Sequence, residues 1–145
     1  MSRFKMLQLT NNNIGAVAAN ALVPLGTITR RIDCSNNMST FSVASSNTDT
    51  ITINEAGYYE ISYSISEVAT NAGITTVTLI INGVDTYTVG ATATAGGTLN
   101  LTLPYTTRVF NRCDNIATNN PMTIQFRTNA ALTSATANVI VKKIY

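Results

Sequence analysis

The stretch "ITINEAGYYEISYSIS", Ile51 to Ser66, carries the clearest pattern in the chain. In "ITIN", Ile51 and Ile53 fall on one parity and Thr52 on the other. "EAG" then reads as a turn, with Gly57 free to take backbone angles that other residues resist. Beyond it, Tyr59, Ile61, Tyr63 and Ile65 share one parity, and Tyr58, Glu60, Ser62 and Ser64 share the other. Such alternation of β-branched and aromatic residues with small polar ones marks a strand buried on one face. Two strands joined by a short turn are therefore expected here.

The same period of two recurs along the chain. Phe4 to Leu9, Thr27 to Ile32 and Met38 to Val43 read as strands. Val77, Leu79 and Ile81 alternate with Thr76, Thr78 and Ile80, and run into Asn82-Gly83. An Asn-Gly pair tolerates positive φ at both positions, which predicts a hairpin into "VDTYTV". Gly90 to Gly97 is expected to be a loop. Leu99, Leu101 and Leu103 alternate up to Pro104, where a break is expected before "YTTRVFNRC". Asp114 to Asn120 reads as an Asn-rich loop. Met122, Ile124 and Phe126 share a face, and so do Val139 and Val141 near the end. Helical periodicity is nearly absent. "IGAVAANAL", Ile14 to Leu22, has helix-favouring alanines, but Gly15, Asn20 and Pro24 cut it to a loop or extended piece. Roughly ten short strands at this spacing predict an all-β sandwich or barrel.

The composition is unusual in one respect. Of 145 residues, 11% are charged, against roughly 25% in an ordinary soluble domain. Thr, Ser and Asn stand where Lys and Glu are usual. So few charges protect a lone subunit poorly against association, so much of the surface is expected to meet other subunits. The net charge is +2, and Arg30-Arg31 and Lys142-Lys143 are only pairs, so no basic face for nucleic acid is expected. "MSRFKMLQLTNNN" lacks the order of a signal peptide, and no apolar run approaches the length that spans a bilayer. No membrane partner is expected, and synthesis in the cytoplasm is.

Chemistry-bearing groups are sparse. The chain has no His, which removes the commonest acid–base group and metal ligand. Its acidic residues form no calcium-loop pattern. Neither an enzyme, a metal site nor a cofactor is expected. Asp33-Cys34 and Cys113-Asp114, flanked by Arg30, Arg31, Arg108 and Arg112, read either as salt-bridged strand ends with two small thiols or as a redox or ligand site. Tyr59, Ile61, Tyr63, Ile65, Val139 and Val141 are assigned to the core or to a contact between copies. Tyr58, Tyr87 and Tyr105 are the candidates for surface contact.

"AGYYEISYSIS", then "LIINGVDTYTV", a leucine strand and the closing "ANVIVKKIY" resemble the C1q/TNF-like jelly-roll family. Gly57, Tyr59 and Ile61 match its Gly-x-Tyr-x-Phe-like strand, with Ile where Phe is commoner. Asn82 and Gly83 match its turn. The likeness covers Ile51 to Tyr145 and implies a jelly roll that assembles as a homotrimer. More narrowly, Gly26, Thr27, Arg30, Arg31, Gly57, Tyr58, Tyr59, Asn82, Gly83, Arg112 and Cys113 follow an order similar to that of small phage and prophage virion proteins, although Asn111 departs from the later motif. That resemblance implies a capsid decoration protein or head fibre on the virion, with the major capsid protein among its partners. Residues 1–25 are then the expected docking segment and first strand, and residues 26–145 the jelly-roll domain. The alternative is a receptor- or carbohydrate-binding module on a fibre or spore surface, with surface glycans as partners.

Overall fold

The computed structural model describes residues 4–33, 39–44, 48–111 and 118–145. Ten strands lie among the described residues: β1 (Lys5–Ile14), β2 (Thr27–Ile32), β3 (Phe41–Val43), β4 (Ile51–Ile53), β5 (Gly57–Val68), β6 (Gly73–Ile81), β7 (Val84–Ala93), β8 (Thr98–Val109), β9 (Met122–Thr128) and β10 (Ala135–Lys143). They form two five-stranded sheets, ordered β2-β1-β10-β5-β8 and β3-β4-β9-β6-β7. Every pairing is antiparallel.

The alternation read from Ile51 to Ser66 sets the core. Ile51, Ile53, Tyr59, Ile61, Tyr63 and Ile65 all point between the sheets and are buried. Leu7 and Leu9, Val77 and Leu79, Leu99 to Leu103 at alternate positions, Ile124 and Phe126, and Val139 and Val141 fill the same layer. Burying each large apolar side chain is worth about 1.5–3 kcal/mol. Asn82 (φ 50°) and Gly83 (φ 78°) both adopt positive φ at the β6–β7 turn, as a tight hairpin with the strands' right-handed twist requires.

Two expected breaks are absent. Pro104 does not end a strand: β8 runs through it from Thr98 to Val109. β8 is the edge of its sheet, and an edge strand tolerates proline because its outward N–H groups have no neighbouring strand to meet. The expected loop from Gly90 to Gly97 shrinks as well, because β7 continues to Ala93. Gly90 lies close beside β6: a Cβ there would sit 2.9 Å from Thr76 Cγ2.

Residues 14–25 are woven into the sandwich. Val17 exchanges backbone bonds with Leu132, and the N–H groups of Asn20 and Val23 donate to the carbonyls of Thr128 and Phe126. The segment lies along β9, and Ile14, Val23 and Leu25 enter the core. β1 itself sits between β2 and β10.

The remaining openings between the sheets are closed by side chains. At one side Arg31 of β2 donates to Asp33 (2.9 Å) and to the Phe41 carbonyl of β3. The Phe41 N–H donates to the same Asp33 carboxylate. At the other side Tyr87 of β7 meets Tyr105 of β8, with ring centroids 5.7 Å apart.

Candidate assembly surface

Every residue of the strand that decides the fold points to one of two places. Tyr59, Ile61, Tyr63, Ile65, Val139 and Val141 lie inside the single chain's core, so their side chains leave no surface for a second copy. The Tyr59 hydroxyl donates to the Glu55 carbonyl at 2.7 Å. Burial, then the nearby Glu55 charge, pushes the Tyr59 phenol well above its usual range. Burial alone does the same to Tyr63.

The opposite parity builds a broad outward face on the first sheet. Register places Gln8, Ile140, Ser62 and Pro104 in one row across β1, β10, β5 and β8. Thr10, Asn138, Ser64 and Thr102 make the next row, and Thr136, Ser66 and Asn100 continue it. No side chain in these rows ionises. Asn138 Oδ1 accepts from Gln8 Nε2 at 2.9 Å and from Thr10 Oγ1 at 3.0 Å, which fixes part of the face. A shallow concavity of about 220 Å³ lies over Thr10, Ser64, Thr102 and Asn138. Charge returns at the margins: Arg30 of β2 stands beside Gln8, and the next row carries Lys142 and Glu60 beside Met6.

That charged row marks the end of the sandwich where the described chain starts and finishes. Here the surface becomes apolar. Phe4 (56% exposed), Ile32, Tyr58 (42%), Ile144 and Tyr145 (79%) are among the large hydrophobic residues left exposed. The tail is held in place: the Tyr58 N–H donates to the Tyr145 carbonyl and the Ile144 N–H to the Tyr58 carbonyl. The rings of Tyr58 and Tyr145 meet edge-on at 6.2 Å. The Arg108 guanidinium sits over both the Tyr58 and Phe110 rings, 5.5 and 5.7 Å from their centroids.

Beneath this end lies a charged knot. The Glu55 carboxylate accepts from Lys5 Nζ, from Thr40 Oγ1 (2.7 Å) and from Lys143 Nζ (3.2 Å). Burial works to raise its pKa, but the bonds from Lys5, Thr40 and Lys143 outweigh it and bring the value down to about 2. The knot joins β1, β10 and the β4–β5 turn, so it reads as structural.

Of the three surface tyrosines, Tyr58 belongs to the apolar end. Tyr87 (41% exposed) and Tyr105 form the edge pair, tilted by 31° rather than presenting one flat platform. In the Asp33-Cys34 and Cys113-Asp114 echo, Asp33 is buried and bound by Arg31. Cys34, Arg112, Cys113 and Asp114 lie outside the described residues. Among the described residues no group of three His, Cys, Asp or Glu side chains converges on a metal-sized site. Sequence reasoning missed the apolar end because its members come from four separate segments. Their common signal, large apolar residues on outward parity, is weak at any one of them.

No family model matches the chain, and no match is found among curated proteins. Solved structures do match. The PRD1 vertex protein P5 is 15% identical with a TM-score of 0.62, over 97% of each chain. The globular domain of zebrafish complement 1qA is 11% identical with a TM-score of 0.71, over 97% of this chain and 98% of that one. The Eiger TNF of S. frugiperda is 6% identical with a TM-score of 0.67, over 98% and 92%. The fold is therefore a C1q/TNF-like jelly roll across nearly the whole chain, including the first fifty residues, which the C1q/TNF-like motifs did not reach.

Proposed function

We propose that this jelly roll is a structural protein of a phage particle, a homotrimeric capsid decoration protein or head fibre. The observation that carries the reading is the uncharged patch that Gln8, Thr10, Ser62, Ser64, Thr102, Thr136 and Asn138 form on the outward face of β1, β10, β5 and β8. Ser, Thr and Asn there can be desolvated against like residues at far lower cost than ionised groups. Three copies packed through this face would bury the surface that so charge-poor a chain leaves unprotected. The fold-level likeness to the PRD1 vertex protein P5 supports a virion setting.

The apolar end formed by Phe4, Ile32, Tyr58, Ile144 and Tyr145 is the part that docks on the shell. Residues 1–25 contribute to docking through Phe4 at this end, while β1 stays within the sheet. In a trimer with strands roughly along the axis, three such ends would form one apolar base.

The experiment is a count of this chain in purified particles. The reading expects it in the virion at a copy number divisible by three, and expects Tyr145→Asp to release it. Its absence from intact particles would sink the reading.

The Tyr87–Tyr105 pair, with Tyr87 exposed and Tyr105 half-buried against the core, favours one second reading, a glycan-binding module. On that reading Tyr87→Ala abolishes binding on a glycan array. On the structural reading no glycan is retained by the unmutated chain.

A further inference from the structure

The end of the sandwich opposite the termini holds a pocket of about 250 Å³. Ala69 to Gly73, between β5 and β6, form one wall, and Ala130, Ala131 and Thr133, between β9 and β10, form the other. The walls are tied down. The Ala69 N–H donates to the Gly97 carbonyl and the Gly96 N–H to the Ala69 carbonyl. Asn129 accepts from the Thr76 N–H at 2.8 Å and donates to the Ile74 carbonyl at 3.0 Å.

At this pocket stands a carboxylate with no partner. Glu67 follows the inward parity of β5 and is only 5% exposed. It makes no hydrogen bond or ion pair among the described residues, and burial alone raises its pKa. No Lys or Arg lines the pocket. Its stem is buried while its carboxylate opens onto the cavity, so the charge is only partly desolvated and stands without a counter-charge.

We infer that the pocket binds a small molecule through a primary ammonium group, paired with the Glu67 carboxylate. One negative charge on the pocket wall, with no counter-charge beside it, suits one positive charge. The three N–H donors of an ammonium can be shared between Glu67 and the side-chain oxygens of Thr70, Asn71 or Thr133. The alanine walls and Ile74 suit a short aliphatic or ring stem. The volume lies below the roughly 300–1,000 Å³ of drug-sized sites, which limits the ligand to a few heavy atoms around the amine. A divalent cation is a poor match, since calcium takes six to eight oxygens with several carboxylates and Glu67 stands alone. An anion has no cationic partner here.

The test is amide-resolved NMR titration of the full chain with D-glucosamine and n-butylamine, against D-glucose and n-butanol. The amines should shift the resonances of Thr70, Asn71 and Thr133 saturably, and the neutral analogues should not. Tighter binding of glucosamine assigns the ammonium to an amino sugar; tighter binding of butylamine assigns it to an alkyl chain. Glu67→Gln should weaken binding at least tenfold. Ala131→Tyr, which fills the pocket and spares the carboxylate, should do the same. Equal shifts from the neutral analogues, full binding by a folded Glu67→Gln protein, or displacement of the amines by calcium chloride would each overturn the assignment.

Discussion

The rings of Tyr63 and Phe126 stack face to face, with centroids 3.9 Å apart and planes 9° from parallel. One comes from β5 and the other from β9, so the pair joins the two sheets at the centre of the core. The Tyr63 hydroxyl has no hydrogen-bond partner among the described residues. A buried hydroxyl without a partner loses its hydration for nothing in return. Tyr63→Phe should therefore leave stability unchanged or raise it by up to about 1 kcal/mol. Phe126→Ala should cost about 3–5 kcal/mol. Urea denaturation of the two variants checks both; a loss above about 1 kcal/mol in Tyr63→Phe would mean that the hydroxyl does have a partner.

Glu55 should govern the acid limb of stability. Its folded pKa is about 2, below the ordinary 4.5. A depressed carboxylate stabilises above its unfolded pKa and loses that contribution as pH falls through the folded value. The window is therefore pH 4.5 down to 2. Full linkage would be worth about 3 kcal/mol. The side chain is 38% exposed, so solvent screening reduces this to about 1–2 kcal/mol. Glu55→Gln should lose that amount at pH 7 and flatten the profile between pH 4.5 and 2, measured by thermal melts across pH.

Glu67 should behave in the opposite sense. Burial raises its folded pKa above the ordinary value, so the fold pays increasingly as pH rises past 4.5 and the group ionises. Glu67→Gln should stabilise the unliganded chain at pH 7 and change little at pH 3 (roughly, below both pKa values). A destabilised variant at pH 7 would show that the carboxylate is satisfied in the fold.

Gly57 cannot carry a side chain. Its φ is +152°, and a Cβ would lie 2.6 Å from both Lys143 Cε and the Tyr145 carbonyl oxygen. Gly57→Ala should cost about 1–3 kcal/mol and loosen the tail that Tyr58 holds. Limited proteolysis at the C-terminus should then run faster than in the unmutated chain. An unchanged rate would detach the tail from this turn.

The sheets were legible in the sequence wherever one face is apolar and the other polar. Ile51 to Ser66, Val77 to Gly83 and Met122 to Phe126 declare their parity residue by residue. Pro104 and Gly90 misled because their tolerance depends on edge position and on the neighbour beside them, which are tertiary facts. The role of residues 14–25 was illegible for a similar reason. They pair backbone to backbone with β9, and such bonds leave no side-chain pattern. The proposed assembly face was readable only as a scarcity of charge. Glu67 looked like one more residue of a strand, since the pocket beside it is closed only when Ala130, Ala131 and Thr133 come from far along the chain.

Light scattering of the purified chain, unmutated and as Ser64→Arg, tests the central claim most directly. Ser64 is exposed at the centre of the uncharged face, so the substitution spares the core and places a charge where copies would meet. The account predicts three times the 15.5 kDa chain mass for the unmutated protein and a single chain mass for the variant. A monomer at micromolar concentration before any substitution, or a trimer that Ser64→Arg leaves intact, would contradict it.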